Sequence, residues 1–150
     1  MKLAEALLLR GDVQKKLASL RDRVGRNALM QEGNSPNEDP NALMNEAVGV
    51  IGELEALVVR INAANLVNKI PDGRTLTAAI ARRDALTDHH SLLQAAISAT
   101  QKEPDRYSAR EIKWIPVVDV KKLQRQSEDL AKTIRELNAA IQETNWKVEL

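Results

Sequence analysis

Apolar residues in this chain recur at steps of three and four in four separate long stretches, the pattern of one face of an α-helix. In the first, Leu3, Ala6, Arg10, Val13, Leu17, Leu20 and Val24 form one stripe. This predicts a helix over residues 2–29, with Gly11 weakening its centre. The second stretch carries Met44, Ala47, Ile51, Leu54, Val58 and Ile61 on one row and Leu43, Val50 and Leu57 on another, at intervals of seven. That double row is wider than a two-stranded coiled coil needs, so a helix over residues 40–66 is expected to face two partners at once. The third stretch, residues 75–100, reads Leu76, Ala79, Arg83, Leu86, His90, Leu93 and Ile97, with two polar residues where apolar ones belong. The fourth follows Leu123, Leu130, Ile134, Leu137 and Ile141 to about residue 146, with Asp119 as its cap.

Between these stretches the sequence supplies stops and turns. Residues 31–40 are polar and without period, and end in Asp39-Pro40, an N-cap followed by proline at the first helical position. Pro71-Asp72-Gly73 is a turn signal. The helical period lapses over residues 101–119. Within that region Ile112-Lys-Trp-Ile-Pro-Val-Val-Asp-Val120 is rich in β-branched residues and broken by Pro116, which predicts an extended arm or a short edge strand. Helices of this length span about 40 Å each at roughly 1.5 Å per residue. The expected architecture is therefore all-α: one helical domain over residues 1–150, an antiparallel bundle of about four long helices with coiled-coil-like packing, and an arm near residues 112–118. With two Trp, one Tyr and no Phe, its core must be built from Leu, Ile, Val, Ala and Met.

Composition removes several classes of function. With no cysteine there is no disulfide framework, thiolate nucleophile, Cys-ligated zinc or iron–sulfur cluster. Glu5 interrupts the apolar start and Arg10 follows, so no signal-peptide core forms, and no apolar run approaches a membrane span. A soluble, cytoplasmic protein is expected. The net charge of +1 gives no global field for nucleic acid. It is unevenly spread: residues 1–30 hold seven basic and three acidic residues, and residues 31–60 hold one and six. A basic first helix and an acidic second one are expected to be neighbours.

His89 and His90 with Asp84 and Asp88 do not form a metal site by spacing. Adjacent helical residues point about 100° apart, and neither Glu-x-x-His nor His-Glu-x-x-His occurs. Arg83, on the third stripe, needs a partner such as Asn65, Asp84 of a neighbouring subunit, or an anion; setting register between subunits and an exposed ion pair are the other readings. Arg83, Asp84, His90 and Asn65 are thus the candidate ligand-binding set. Asn62, Asn65 and Asn68 recur every third residue, in keeping with a frayed and capped helix end. Ser108 and Glu111 have capping-box spacing. Arg106, Tyr107, Arg110, Lys113 and Trp114 interleave basic and aromatic residues, but the patch is small for single-strand binding. No Gly-x-Ser-x-Gly elbow or phosphate-cradling glycine loop is present, and no cofactor or metal is called for.

Eight short words spread along the chain carry a family resemblance: Met1-Lys-Leu-Ala-Glu-Ala-Leu7, Arg26-Asn-Ala28, Gln31-Glu-Gly33, Glu38-Asp-Pro40, Asp72-Gly-Arg-Thr-Leu76, Arg106-Tyr-Ser108, Glu111-Ile-Lys-Trp114 and Asn145-Trp146. They resemble an uncharacterised bacterial family of small helical proteins, some members of which are labelled septicolysin. The resemblance implies a helical fold, and the label implies a membrane-active, pore-forming protein. Against that label, helix one carries Glu5, Asp12 and Asp22 among its apolar residues. The leading expectation is a non-enzymatic, homo-oligomeric helical interaction or scaffold protein, with Ile112, Trp114, Ile115 and Val117 of the arm crossing a subunit interface. A membrane-active protein, and a ligand binder or enzyme using the polar cluster on the third helix, are the alternatives.

Overall fold

Each helix begins where a side chain satisfies its first backbone N–H groups. The Glu5 carboxylate accepts from Lys2 N at 2.7 Å, Asp39 Oδ1 from Asn41 N at 2.9 Å, Thr75 Oγ1 from Ala78 N at 3.2 Å, and Asp119 Oδ1 from Lys122 N at 3.1 Å. The computed structural model describes residues 1–101 and 113–150. It contains α1 (Leu3–Asn27), α2 (Pro40–Val67), α3 (Leu76–Ala99) and α4 (Val120–Lys147), and the described residues contain no strand. The chain is all-α, with every helix boundary within two residues of the position expected. Residues 113–119 are irregular rather than an edge strand. Ile112, Arg106, Tyr107, Arg110 and the Ser108–Glu111 spacing lie outside the described residues.

The chain divides into two compact units, Met1–Lys69 with Gln142–Leu150, and Ile70–Ile141. In the first, α1 and α2 form an antiparallel pair around Leu20, Leu43 and Val50, with Val13, Leu17, Val24 and Ala47 packed against them. The basic and acidic helices are neighbours, as their charges suggest: Lys16 Nζ lies 3.1 Å from Glu46. At the end of α1 the connecting loop is clamped. Arg23 Nε donates to Glu38 Oε2 at 3.0 Å, Glu38 N donates to Asn27 Oδ1 at 3.0 Å, and Asn27 Nδ2 donates to Arg23 O at 2.8 Å. At the other end, Leu3 N donates to Val148 O and Leu150 N to Met1 O, each at 2.9 Å, and Lys2 Nζ lies 2.7 Å from Glu149.

Helix α2 buries Leu43, Val50, Leu57, Ile61 and Ala64. Only four of its 28 residues are charged, namely Glu46, Glu53, Glu55 and Arg60, and Met44, Val48, Ile51, Val59, Leu66 and Val67 are exposed. Its middle holds Gly49 and Gly52, where an added Cβ would meet nothing. A mid-helix glycine costs about 1 kcal/mol relative to alanine. No close approach among the described residues explains either one.

The second unit opens with a tight turn in which Gly73 N donates to Ile70 O at 2.9 Å and Ile70 N to Arg74 O at 2.9 Å. Gly73 has φ +91°, a conformation that a side chain disfavours. Helix α3 buries Leu76, Ala79, Leu86, Leu93 and Ile97, and α4 buries Ser127, Leu137 and Ile141. Ser127 fills the gap in the α4 stripe between Leu123 and Leu130. Its hydroxyl accepts from Gln94 Nε2 at 2.6 Å, a polar contact that ties α4 to α3.

Two outcomes test this packing. Leu20→Ala removes the centre of the α1–α2 contact and should cost about 2–4 kcal/mol, read as a lower urea midpoint; an unmoved midpoint would contradict the cluster. Three carboxyl groups lie below the usual glutamate range. Glu38 is held there by its hydrogen bond from Arg23, Glu143 by that from Lys147, and Glu149 by those from Lys2 and the Met1 amine. A carboxyl group lowered in the folded state stabilises it above the unfolded value of about 4.3 and loses that effect as pH falls through the folded value. The Tm should therefore be flat above about pH 5 and fall below about pH 4.3, and less steeply so in Glu38→Gln.

Candidate functional site

The polar residues of α3 lie on the stripe that the spacing placed inward, yet neither is fully covered. Arg83 keeps 31% of its side chain exposed and pairs with the next residue, its Nη2 lying 2.7 Å and its Nε 2.9 Å from Asp84 Oδ1. Its stem lies toward the core while the guanidinium reaches outward, as long cationic side chains do. His90 is half-buried and His89 exposed. Asn65 is half-buried in the first unit, whereas Arg83, Asp84 and His90 belong to the second. Asn68, at the end of α2, caps it by donating from Nδ2 to Ala64 O at 2.9 Å. Among the described residues no group of three or more His, Cys, Asp or Glu is placed to hold a metal ion.

The neighbouring arginine has a different place. Arg82 lines a cleft of about 320 Å³ in the second unit, between the turn, α3 and α4. Ile70, Leu86 and Leu137, all buried, form its apolar base, and Asp72, Arg74, Thr133 and Glu136 stand around it. Asp72 and Arg74 satisfy each other at 2.7 Å, and Arg74 N also donates to Asp72 Oδ1 at 3.0 Å. The Arg82 guanidinium has no ion pair or side-chain hydrogen bond among the described residues. Sequence spacing pointed to Arg83 and Asp84 and not to the adjacent Arg82. The useful signal was that position 82 lies three residues after Ala79 and four before Leu86, so it borders the same stripe on the side toward α4.

The arm before α4 presents its apolar side chains to solvent. Trp114 is 67% exposed, Ile115 75%, Val117 100% and Val118 43%. No helix among the described residues is long and apolar enough to cross a membrane.

These features define an all-α protein of paired long helices with exposed apolar surface and a shallow charged cleft. Residues 10–150 match the model of a family of unknown function, and the chain belongs to that family, DUF6847. It is also similar to the crystal structure of a functionally unknown conserved protein from Corynebacterium diphtheriae. The two are 34% identical, with a TM-score of 0.93, over 100% of this chain and 98% of the other. Comparison with curated proteins finds no match. The family expected from the short words is thus one of helical proteins without an assigned role, and neither description carries the septicolysin label.

The local Arg83–Asp84 pair yields a prediction. A pair this exposed contributes at most about 1 kcal/mol, so Arg83→Met, which keeps the apolar stem, should change the Tm by a few degrees at most. A loss of several kcal/mol would instead reveal a buried ionic partner.

Proposed function

We propose that this protein is a non-enzymatic, self-associating helical interaction or scaffold module. The observation that carries the reading is the exposed apolar arm: Trp114, Ile115 and Val117 are consecutive or near-consecutive large side chains, each at least two-thirds open to solvent. Leaving such a cluster in water forfeits burial worth about 1.5–3 kcal/mol per side chain, and patches of this type mark interaction sites. A tryptophan at the centre is the kind of residue that anchors an interface. The apolar surface of α2 supports the same reading, since a helix apolar on most sides is normally covered on most sides.

The cleft beside Arg82 favours a second reading, a ligand binder. Its apolar base and unpaired guanidinium suit a small amphiphile bearing an anionic group. Saturable binding of such a compound, lost in Arg82→Ala, would support it.

The leading reading predicts a mass in solution that is a multiple of 16.6 kDa. Trp114→Ala should shift that distribution toward smaller species in native mass spectrometry. A wild-type chain that stays monomeric at high concentration would remove the reading, and an unchanged distribution in the variant would remove the arm from the interface.

A further inference from the structure

One face of α2 is arranged to complement itself. Asn45, Gly49, Gly52, Ala56, Val59 and Ala63 follow one another at steps of four and three, so they form a single line along the helix, and all are exposed. The line lies well over a quarter-turn from the buried row of Leu43, Val50 and Leu57. Glu53 and Arg60 border it on one side, and Val48 and Leu66, both exposed, border it on the other. Neither Glu53 nor Arg60 has an ion pair or side-chain hydrogen bond among the described residues. Small residues in such a line let two helix backbones approach closely, and Gly49 and Gly52 have no neighbour among the described residues that requires them.

We propose that α2 packs antiparallel against α2 of a second copy of this chain, about a two-fold axis passing beside Ala56. Pairing centred there places each residue opposite the one equally far from position 56 in the other direction. Ala56 then meets itself. Ala63 falls on the partner subunit's Gly49, and Val59, three residues past the centre, comes within one residue's rise (about 1.5 Å) of the partner subunit's Gly52, four before it, where the missing Cβ leaves room for it. A two-fold axis perpendicular to the plane of the helices keeps each flank on its own side. Glu53 and the partner subunit's Arg60 therefore share a flank and differ in height by one residue's rise, about 1.5 Å, and the same holds for Arg60 and the partner subunit's Glu53. Bulk meets glycine and acid meets base, twice over, from a single sequence read in both directions. That is the requirement of an isologous interface, in which one patch must complement itself. A foreign partner would need no such symmetry about one residue.

This assignment rests on the self-association proposed above and gives it a surface. The test is a charge exchange read by concentration-dependent light-scattering mass. Glu53→Arg alone and Arg60→Glu alone each place like charges together at two points and should weaken the dimer by at least about tenfold. The double variant restores opposite charges and should return to within about threefold of wild type. Both side chains are exposed, and Glu128→Arg on α4 serves as a remote control that leaves the mass unchanged. Independently, the chain has no cysteine of its own, so Ala56→Cys should cross-link two copies under mild oxidation, whereas Glu128→Cys should not. A monomeric wild type overturns the self-association reading and this surface with it. An oligomeric wild type that ignores both single reversals and does not cross-link through position 56 overturns the α2 surface alone.

Discussion

The insertion of Leu20 between Leu43 and Val50 is the contact on which the first unit depends. Leu20 is 1% exposed, and every other residue in its cluster is aliphatic. Without a phenylalanine anywhere in the chain, no single side chain fills a large volume, and the helices must gain their contact area through length. An antiparallel hairpin of this kind is sensitive to sliding, since a shift of one residue turns a helix face by about 100°. The clamp of Arg23, Asn27 and Glu38 fixes the slide at the loop end, and backbone bonds from Leu3 and Leu150 tie the start of α1 to residues 148–150 and 1. Apolar burial supplies the attraction and polar contacts supply the alignment.

The order and extent of the helices were legible because local and long-range signals agree. Asp39, Thr75 and Asp119 read as caps and act as caps, and Arg83 and His90, on the three-four stripe of α3, are each half-buried. What was not legible depended on reach rather than on spacing. Arg83 satisfies itself with Asp84 because a guanidinium on a long stem can fold back along its own helix, so the partner imagined on another subunit is not required by an unpaired buried charge. The Gln94–Ser127 hydrogen bond fills what looked like a missing apolar position in α4. The cleft combines a turn with two helices, and no single-segment periodicity reports such a junction. The β-branched residues before α4 read equally as strand or arm. A strand needs a neighbour to accept its backbone hydrogen bonds, and the described residues hold none.

Helix α2 is apolar on more of its circumference than its buried row occupies. Its two apolar rows were expected to serve two partners, and α1 with the first unit accounts for the row of Leu43, Val50 and Leu57. The remaining surface, with its glycines and its few charges, is exposed among the described residues. Selection for solubility alone would favour lysine and glutamate at such places, with alanine in place of glycine.

The pairing of residues 1–3 with residues 148–150 makes the polypeptide nearly a closed ring, joined by hydrogen bonds where a peptide bond would complete it. A short linker across that junction would produce a circular chain of the same fold, and the polar loop of residues 28–39 offers a place to reopen it. Mechanically, the same arrangement means that tension on the two ends is borne first by a few backbone hydrogen bonds and the Lys2–Glu149 ion pair. The hairpin of α1 and α2 feels the load only after that seam has parted.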